Sequence, residues 1–502
     1  MNTFIQALEE QYNYKFTENG ALAHRSTGSK VYDMFAFGAA YRERSIEDCI
    51  LLFKNAFDED PDLALKCLFY IRDCRGGQGE RRFFRICLRW LAQQHPAFLI
   101  PLVKHIPEFG RWDDVFELFG TYLEQDACHF IVQQLIKDMV DCHDKKAISL
   151  LAKWMPSENA HSKVAKQRAA IIRKYVQASP REYRQMLSSL RAHLNILERL
   201  MSENRWDEIE YDKIPSKAGI IYRNAFARHD IQKKYEEFIK DKNTTVNAGT
   251  LYPYEVVEKV FEDINETYER GMYHTRRWYE IDDLKREVLN KYWANLPDYL
   301  NGASPSMLCV IDTSGSMYGR PLEVAISLGL YTAERMSGDF ADSFITFSSE
   351  PQFVKTEGVD FVDKVMRIYF NCIIDNTNLT KVFDMLLGNI LVNHVKTEDI
   401  PKTIVVISDM EIDMGSNWYD KKHALTEMES MREKWAGYGI EMPKLVYWNV
   451  NARNNTILDD GPGVSYVSGC SPTIYQSILT GKDGFDLMLD VLLGERYKEI
   501  KA

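Results

Sequence analysis

The sequence predicts a multidomain protein, with an all-α helical-repeat array (HEAT-like) over residues 1–302 followed by a doubly wound α/β (Rossmann-like) domain over residues 303–502. Three observations carry this. Before residue 300, apolar residues recur at helical spacing with short turns between the stretches. Beyond it, short apolar runs alternate with helix-patterned stretches, which is how a parallel sheet is written in sequence. The first of those runs, Met307-Leu308-Cys309-Val310-Ile311, leads into Asp312-Thr313-Ser314-Gly315-Ser316, a turn that sets a carboxylate and two hydroxyls at alternate positions.

In the N-terminal part, residues 63–72, 80–92, 98–105, 112–123 and 128–140 are amphipathic stretches joined by short turns, the pattern of antiparallel helix pairs. Arg111-Trp112-Asp113-Asp114 and Arg205-Trp206-Asp207-Glu208 look like one device used twice, a tryptophan followed by carboxylates favoured in a first helical turn. That recurrence reads as a divergent helical repeat. Residues 241–250 are polar and turn-rich, separating the main array from a last charged helical segment over 254–296.

In the C-terminal part, a helix is expected over 322–336, a strand at Phe344-Ile345-Thr346-Phe347, and a helix opened by Asn376-Thr377-Asn378-Leu379. A buried strand, 403–408, delivers Asp409 at its end, and further strands follow at 444–448 and 464–467. Open α/β sheets bind ligands in the loops at the carboxyl ends of such strands. The oxygen donors of Asp312, Ser314 and Ser316 suit a hard divalent cation, Mg²⁺ or its relatives Mn²⁺ and Ca²⁺. With so little negative charge around it, the ion would stay electrophilic and accept an acidic group from a partner.

At 502 residues and 45% hydrophobic, the chain has material for two to four domains. Residues 1–16 do not resemble a signal peptide, and no apolar run approaches the roughly 20 residues needed to span a bilayer. A cytoplasmic protein with no membrane partner is expected. The nine cysteines are scattered without a Cys-x-x-Cys pair, so neither a zinc site nor a disulfide framework is indicated. The net charge of −11 disfavours nucleic acid at first sight, but it is unevenly placed. Residues 301–502 hold 18 Lys+Arg against 28 Asp+Glu, whereas residues 1–300 hold 44 against 45.

Within that neutral part, positive charge gathers in two places. The first is the Gly-rich turn between Arg72 and Arg85, with Arg75, Arg81 and Arg82 as candidate nucleic-acid contacts. The turn leads into a helix N-terminus that could hold a phosphate, but it lacks the Gly-Lys-Ser/Thr ending of a Walker loop; a simple helix connection is the competing reading. The second lies over 161–193, where Lys163, Lys166, Arg168, Arg173 and Lys174 are the candidates, beside further arginines and a single acid, Glu182. Phe83, Phe84 and Tyr183 lie close enough in sequence to stack on bases, although core packing is the usual fate of such rings.

The Asp312-Thr313-Ser314-Gly315-Ser316 loop resembles the metal-ion-dependent adhesion site of von Willebrand factor A domains. The resemblance implies a ligand set of Asp312, Ser314, Ser316, Thr377 and Asp409, with Thr380 as the alternative to Thr377 and with Glu411 and Asp413 adding negative charge nearby. The whole chain, helical repeats followed by an A domain, resembles the Ro-type (TROVE-module) ribonucleoproteins, whose repeats close into a ring that holds single-stranded RNA ends in its hole and structured RNA on its outer surface. It is closer still to an uncharacterised family of helical-repeat and A-domain proteins, a relative of the Ro type. That second resemblance rests on Arg75-Gly76-Gly77-Gln78-Gly79-Glu80-Arg81, Phe109-Gly110-Arg111-Trp112-Asp113-Asp114, Lys153-Trp154-Met155-Pro156, Ile214-Pro215-Ser216-Lys217 and Leu251-Tyr252-Pro253-Tyr254.

The expected function is an RNA-binding scaffold or RNA chaperone, with the metal site docking an acidic protein partner. The alternative is a protein-only adaptor in which the A domain recruits a partner or a remodelling ATPase. Catalysis is not expected: no histidine lies near the metal motifs, and His423, the nearest downstream, sits beside Lys421 and Lys422.

Overall fold

In the computed structural model, which describes residues 13–269, 281–303, 305–336, 340–347, 350–371, 378–412, 427–458 and 461–502, the helical half opens with a hairpin. Strands β1 (Tyr14–Phe16) and β2 (Leu22–His24) pair antiparallel. The array follows as α1 (Lys30–Phe37), α2 (Ile46–Glu59), α3 (Pro61–Arg72), α4 (Arg82–Gln94), α5 (Glu124–His143), α6 (Lys163–Val176), α7 (Pro180–His193), α8 (Ser216–His229), α9 (Pro253–Glu269) and α10 (Asp283–Ala294), with shorter turns between them. Starts are written in the sequence: the side chains of Ser45, Asp60, Ser162 and Ser179 each accept a first-turn N–H. The helix expected over 98–105 is instead a four-residue helix followed by a 3₁₀ stretch, Ile100–His105. Pro101 and Pro107 cannot donate to a regular ladder there. The one expected over 112–123 gives a single α-turn, Trp112–Val115, and a 3₁₀ turn. Trp206 opens only a 3₁₀ turn and stacks on His229 at 4.0 Å, so the two tryptophan motifs differ in structure.

The C-terminal half is a helix-flanked sheet: β3 (Met307–Asp312), α11 (Arg320–Ala333), β4 (Ser343–Phe347), β5 (Gln352–Lys355), α12 (Phe361–Asn371), α13 (Leu379–Val392), β6 (Thr403–Ser408), α14 (Glu427–Gly437), β7 (Lys444–Asn449), β8 (Val464–Ser468) and α15 (Gly484–Leu492). The sheet order is β5-β4-β3-β6-β7-β8. All neighbours are parallel except β4 and β5, an antiparallel edge pair that the sequence pattern did not announce. The central strands read as continuous apolar runs because both faces are covered; Ile404, Val405, Val406 and Ile407 are fully buried.

The array is anchored to this sheet at both of its ends. At its start, Ser468 Oγ donates to Phe35 O (2.9 Å), Tyr466 N to Tyr32 Oη (2.8 Å) and Ser471 N to Gln78 Oε1 (3.1 Å). Arg496 and Tyr497 both bond buried Asp73 just past α3, and Lys66 donates to Tyr497 O. At its finish, α9 packs along α11. Arg286 forks onto Asp360 at 2.5 and 2.7 Å, Trp293 Nε1 donates to Glu334 (2.7 Å), and its ring stacks on Phe361 at 4.3 Å. The chain therefore closes a circuit, leaving the sheet at β8 and returning to it at α11, and one continuous apolar core runs through both halves.

Candidate functional site

Where the circuit closes, stretches far apart in sequence wall a cavity of about 760 Å³. Its cations come from every side. Arg42 follows α1; Arg72, Arg75, Arg81 and Arg82 flank the Gly-rich turn; Arg111, Lys217 and Arg320 come from three further segments. Trp112, Trp154, Tyr252 and Tyr254 supply rings, and Glu80 is the one carboxylate on the wall.

These side chains are held by a frame of buried acids. Asp114, fully buried, accepts from Arg72 Nη2 (2.7 Å), Arg85 Nε (2.6 Å) and the backbone N of Arg111 (2.9 Å). Asp113 takes Arg85 (2.6 Å) and Arg111 (3.1 Å). Arg111 then lies over the Trp154 ring, 4.3 Å from its centre, and Lys217 pairs with Glu255 at 2.9 Å while sitting over Tyr252. Arg42 is fixed by Glu80 at 2.8 Å. Arg75, Arg81, Arg82 and Arg320 are in no ion pair among the described residues; Arg75 donates to Glu108 O, Arg82 to Tyr41 O (3.4 Å), and Arg320 lies over the Tyr254 ring.

The Gly-rich turn serves packing rather than phosphate binding. A Cβ on Gly77 would sit 2.0 Å from Tyr70 O, and one on Gly79, whose φ is +66°, would sit 2.2 Å from Tyr252 Oη. The N-terminus of α4 is already occupied, since Glu80 Oε1 accepts from the backbone N of Arg82 (2.8 Å). Phe83, Phe84 and Tyr183 are fully buried and belong to the core.

The second basic cluster is elsewhere. None of Lys163, Lys166, Arg168, Arg173 and Lys174 lines the cavity; the three lysines are exposed on α6, while Arg168 pairs with Glu117 (3.0 Å) and Arg173 with Glu158 (2.8 Å). Sequence reasoning missed Arg42, Arg111, Lys217 and Arg320 as cavity residues. A signal was present, because the five motifs that carried the family resemblance all send residues to this one wall.

On the sheet, β3 and β6 are adjacent and parallel, which sets Asp312 beside Ser408. Asp312, fully buried, accepts from Ser314 N (2.9 Å) and Ser408 Oγ (2.6 Å), and the hydroxyls of Ser314 and Ser316 are 3.0 Å apart. Burial first, and the neighbouring Asp409 second, push the Asp312 carboxyl well above the ordinary carboxylate range. Two buried carboxylates pressing on each other, with hydroxyls alongside, form a donor set that fits a hard divalent cation. Asp409 also takes Arg453 Nη2 at 3.0 Å, and Arg453 reaches Glu18 of the N-terminal hairpin at 3.1 Å. Glu411 is turned the same way, accepting from Glu18 N (2.7 Å) and Thr456 Oγ1 (3.1 Å). Thr377 and Asp413 lie outside the described residues; Thr380 is in the first turn of α13. Among the described residues no three carboxylate, imidazole or thiol groups converge as a metal centre. The eight described cysteines are all free, and no described helix is long and apolar enough to cross a membrane.

Fold and site together define a class: a helical array closed on a doubly wound sheet, with a cationic, aromatic cavity at the closure. The chain belongs to the family described as Domain of unknown function (DUF2828), whose model matches residues 17–130 and 158–304, just over half of it. Residues 306–495 match a second model, Domain of unknown function (DUF7788). An uncharacterized protein of Acanthamoeba polyphaga mimivirus is 28% identical over 519 residues, covering 94% of this chain and 85% of that one. The crystal structure of the Deinococcus radiodurans Ro (RSR) protein is similar at a TM-score of 0.45 and 14% identity, covering 94% of this chain and 100% of that one.

Proposed function

We propose that the protein is an RNA-binding scaffold that grips single-stranded RNA in the cavity at the closure of the circuit. The observation that carries this is the composition of the wall, eight cations with two indoles and two phenols against a single carboxylate. Single-stranded nucleic acid is held by cations that follow the backbone and rings on which bases stack, each stacked base contributing about 1–3 kcal/mol. The cavity supplies both within one enclosure, which compensates for a helical half that has no net positive charge. In this reading the sheet domain is a docking module: Asp312, Ser314 and Ser316, with Asp409 and a threonine of the middle loop, hold Mg²⁺, whose remaining coordination a partner's carboxylate completes. The protein acts by binding and not by catalysis.

Fluorescence anisotropy with a single-stranded RNA, the matching duplex and a range of salt tests the reading. Single-strand binding is expected to weaken steeply with salt. Trp154→Ala should weaken it about tenfold, whereas joint reversal of Lys163, Lys166 and Lys174 to Glu should cost less than about threefold, since screened exterior charges act weakly. Equal losses from both variants, or no RNA binding at low salt, would overturn the assignment of the cavity.

A further inference from the structure

We infer that the cavity selects an RNA end bearing a phosphate monoester over one that ends in a hydroxyl; this rests on the RNA-binding reading. Size is the first argument. Pockets of roughly 300–1,000 Å³ enclose ligands of drug size, hence of nucleotide size, so about 760 Å³ takes one or two nucleotides and not a folded element.

Charge is the second. One or two nucleotides inside a continuous strand bring one negative charge each. Of the eight cations on the wall, Arg42, Arg72, Arg111 and Lys217 are tied to Glu80, Asp114, Asp113 and Glu255. Arg75, Arg81, Arg82 and Arg320 are in no ion pair among the described residues, and all four are exposed and line the cavity. Even with Glu323 in the field of Arg320, four guanidiniums in no ion pair among the described residues exceed what an internal dinucleotide neutralises. A terminal monoester adds about −1.5 to −2 and three strong acceptor oxygens, and the planar guanidinium is the side chain best shaped to take them in pairs.

Placement adds to this. Tyr252, only 7% exposed, lines the cavity with its hydroxyl packed against Gly79 and Lys217 over its ring, so it holds the wall beside the Arg75–Arg82 turn and fixes where those guanidiniums emerge.

The test compares one single-stranded RNA of fixed sequence carrying two hydroxyl ends, a 5′-phosphate or a 3′-phosphate, by anisotropy against the full-length protein, with AMP as a competitor. One phosphorylated form is expected to bind about tenfold more tightly than the hydroxyl form, and which one it is gives the polarity of the bound strand. Arg81→Gln and Arg320→Gln together should bring the two forms within about twofold, with unchanged thermal midpoints as the control for folding. Equal affinity of all three RNAs for the unaltered protein overturns the inference and leaves RNA binding standing. Absence of binding to any of them overturns the RNA reading and the inference with it. Competition by AMP at the affinity of the phosphorylated RNA overturns the inference in favour of a free mononucleotide.

Discussion

Replacing Asp114 with Ala should destabilise the protein and disorder the cavity at once. Asp114 is fully buried and answers Arg72, itself 3% exposed, while also holding Arg85 and the backbone of Arg111. Removing it leaves the Arg72 guanidinium buried without its counter-ion, a change that costs about 3–5 kcal/mol. The cap on the helix that carries Trp112 goes too, at roughly 0.5–2 kcal/mol. Against the 5–15 kcal/mol typical of folded proteins this is a large fraction, and a thermal midpoint lower by about 5–10 °C is expected from differential scanning calorimetry. The companion variant Arg72→Met, combined with Asp114→Leu, should be less destabilised than the sum of its parts, because an apolar pair leaves no unpaired charge. A loss under about 1 kcal/mol for Asp114→Ala, or strict additivity in the double variant, would refute the claim that this buried pair braces the cavity wall.

Three further outcomes are expected. Glu323, whose carboxyl is pushed up to about 7 by burial and by Glu258 and Glu262 of α9 against the opposing pull of Arg320 and Lys259, keeps its proton longer in the folded than in the unfolded chain. Its contribution is therefore present below about pH 4.5 and lost as pH rises to 7, so Glu323→Gln should flatten that slope and gain about 1–2 kcal/mol above pH 7 in urea titrations, allowing for its partial exposure. Mg²⁺ should raise the thermal midpoint; Ser314→Ala should reduce that rise, and Arg453→Gln should increase it by removing the cation that now answers Asp409. Gly79→Ala should lower the midpoint more than Gly28→Ala, since both have positive φ but only Gly79 would also drive a Cβ into Tyr252.

The parts of the fold that were legible in sequence are those decided locally. The run of Thr403–Ser408 is buried on both faces and could be read as a central strand. Strand β5 could not, because four residues alternating between half-buried and exposed give too short a pattern. The candidate site divides in the same way. Arg75, Arg81 and Arg82 stood out by local density, and they do reach the cavity. In the denser cluster on α6, Arg168 and Arg173 are answered by Glu117 and Glu158 from other segments, which no count along the chain includes, while Lys163, Lys166 and Lys174 stay exposed away from the cavity. Arg42, Lys217 and Arg320 belong to neither basic cluster of the sequence and become neighbours only when the circuit closes. The carboxylate pair at Asp312 and Asp409 was readable from strand endings, but Arg453 arrives from the segment after β7 and was not.

The bracing of the Arg75 turn by Arg496 and Tyr497 through Asp73, 423 residues away along the chain in the case of Arg496, bears on biosynthesis. At about 5–20 residues per second, that partner leaves the ribosome roughly 20–85 s after the turn it supports. Every residue lining the cavity is therefore synthesised before this brace, and the wall takes its final form only when residues 496 and 497 have been delivered.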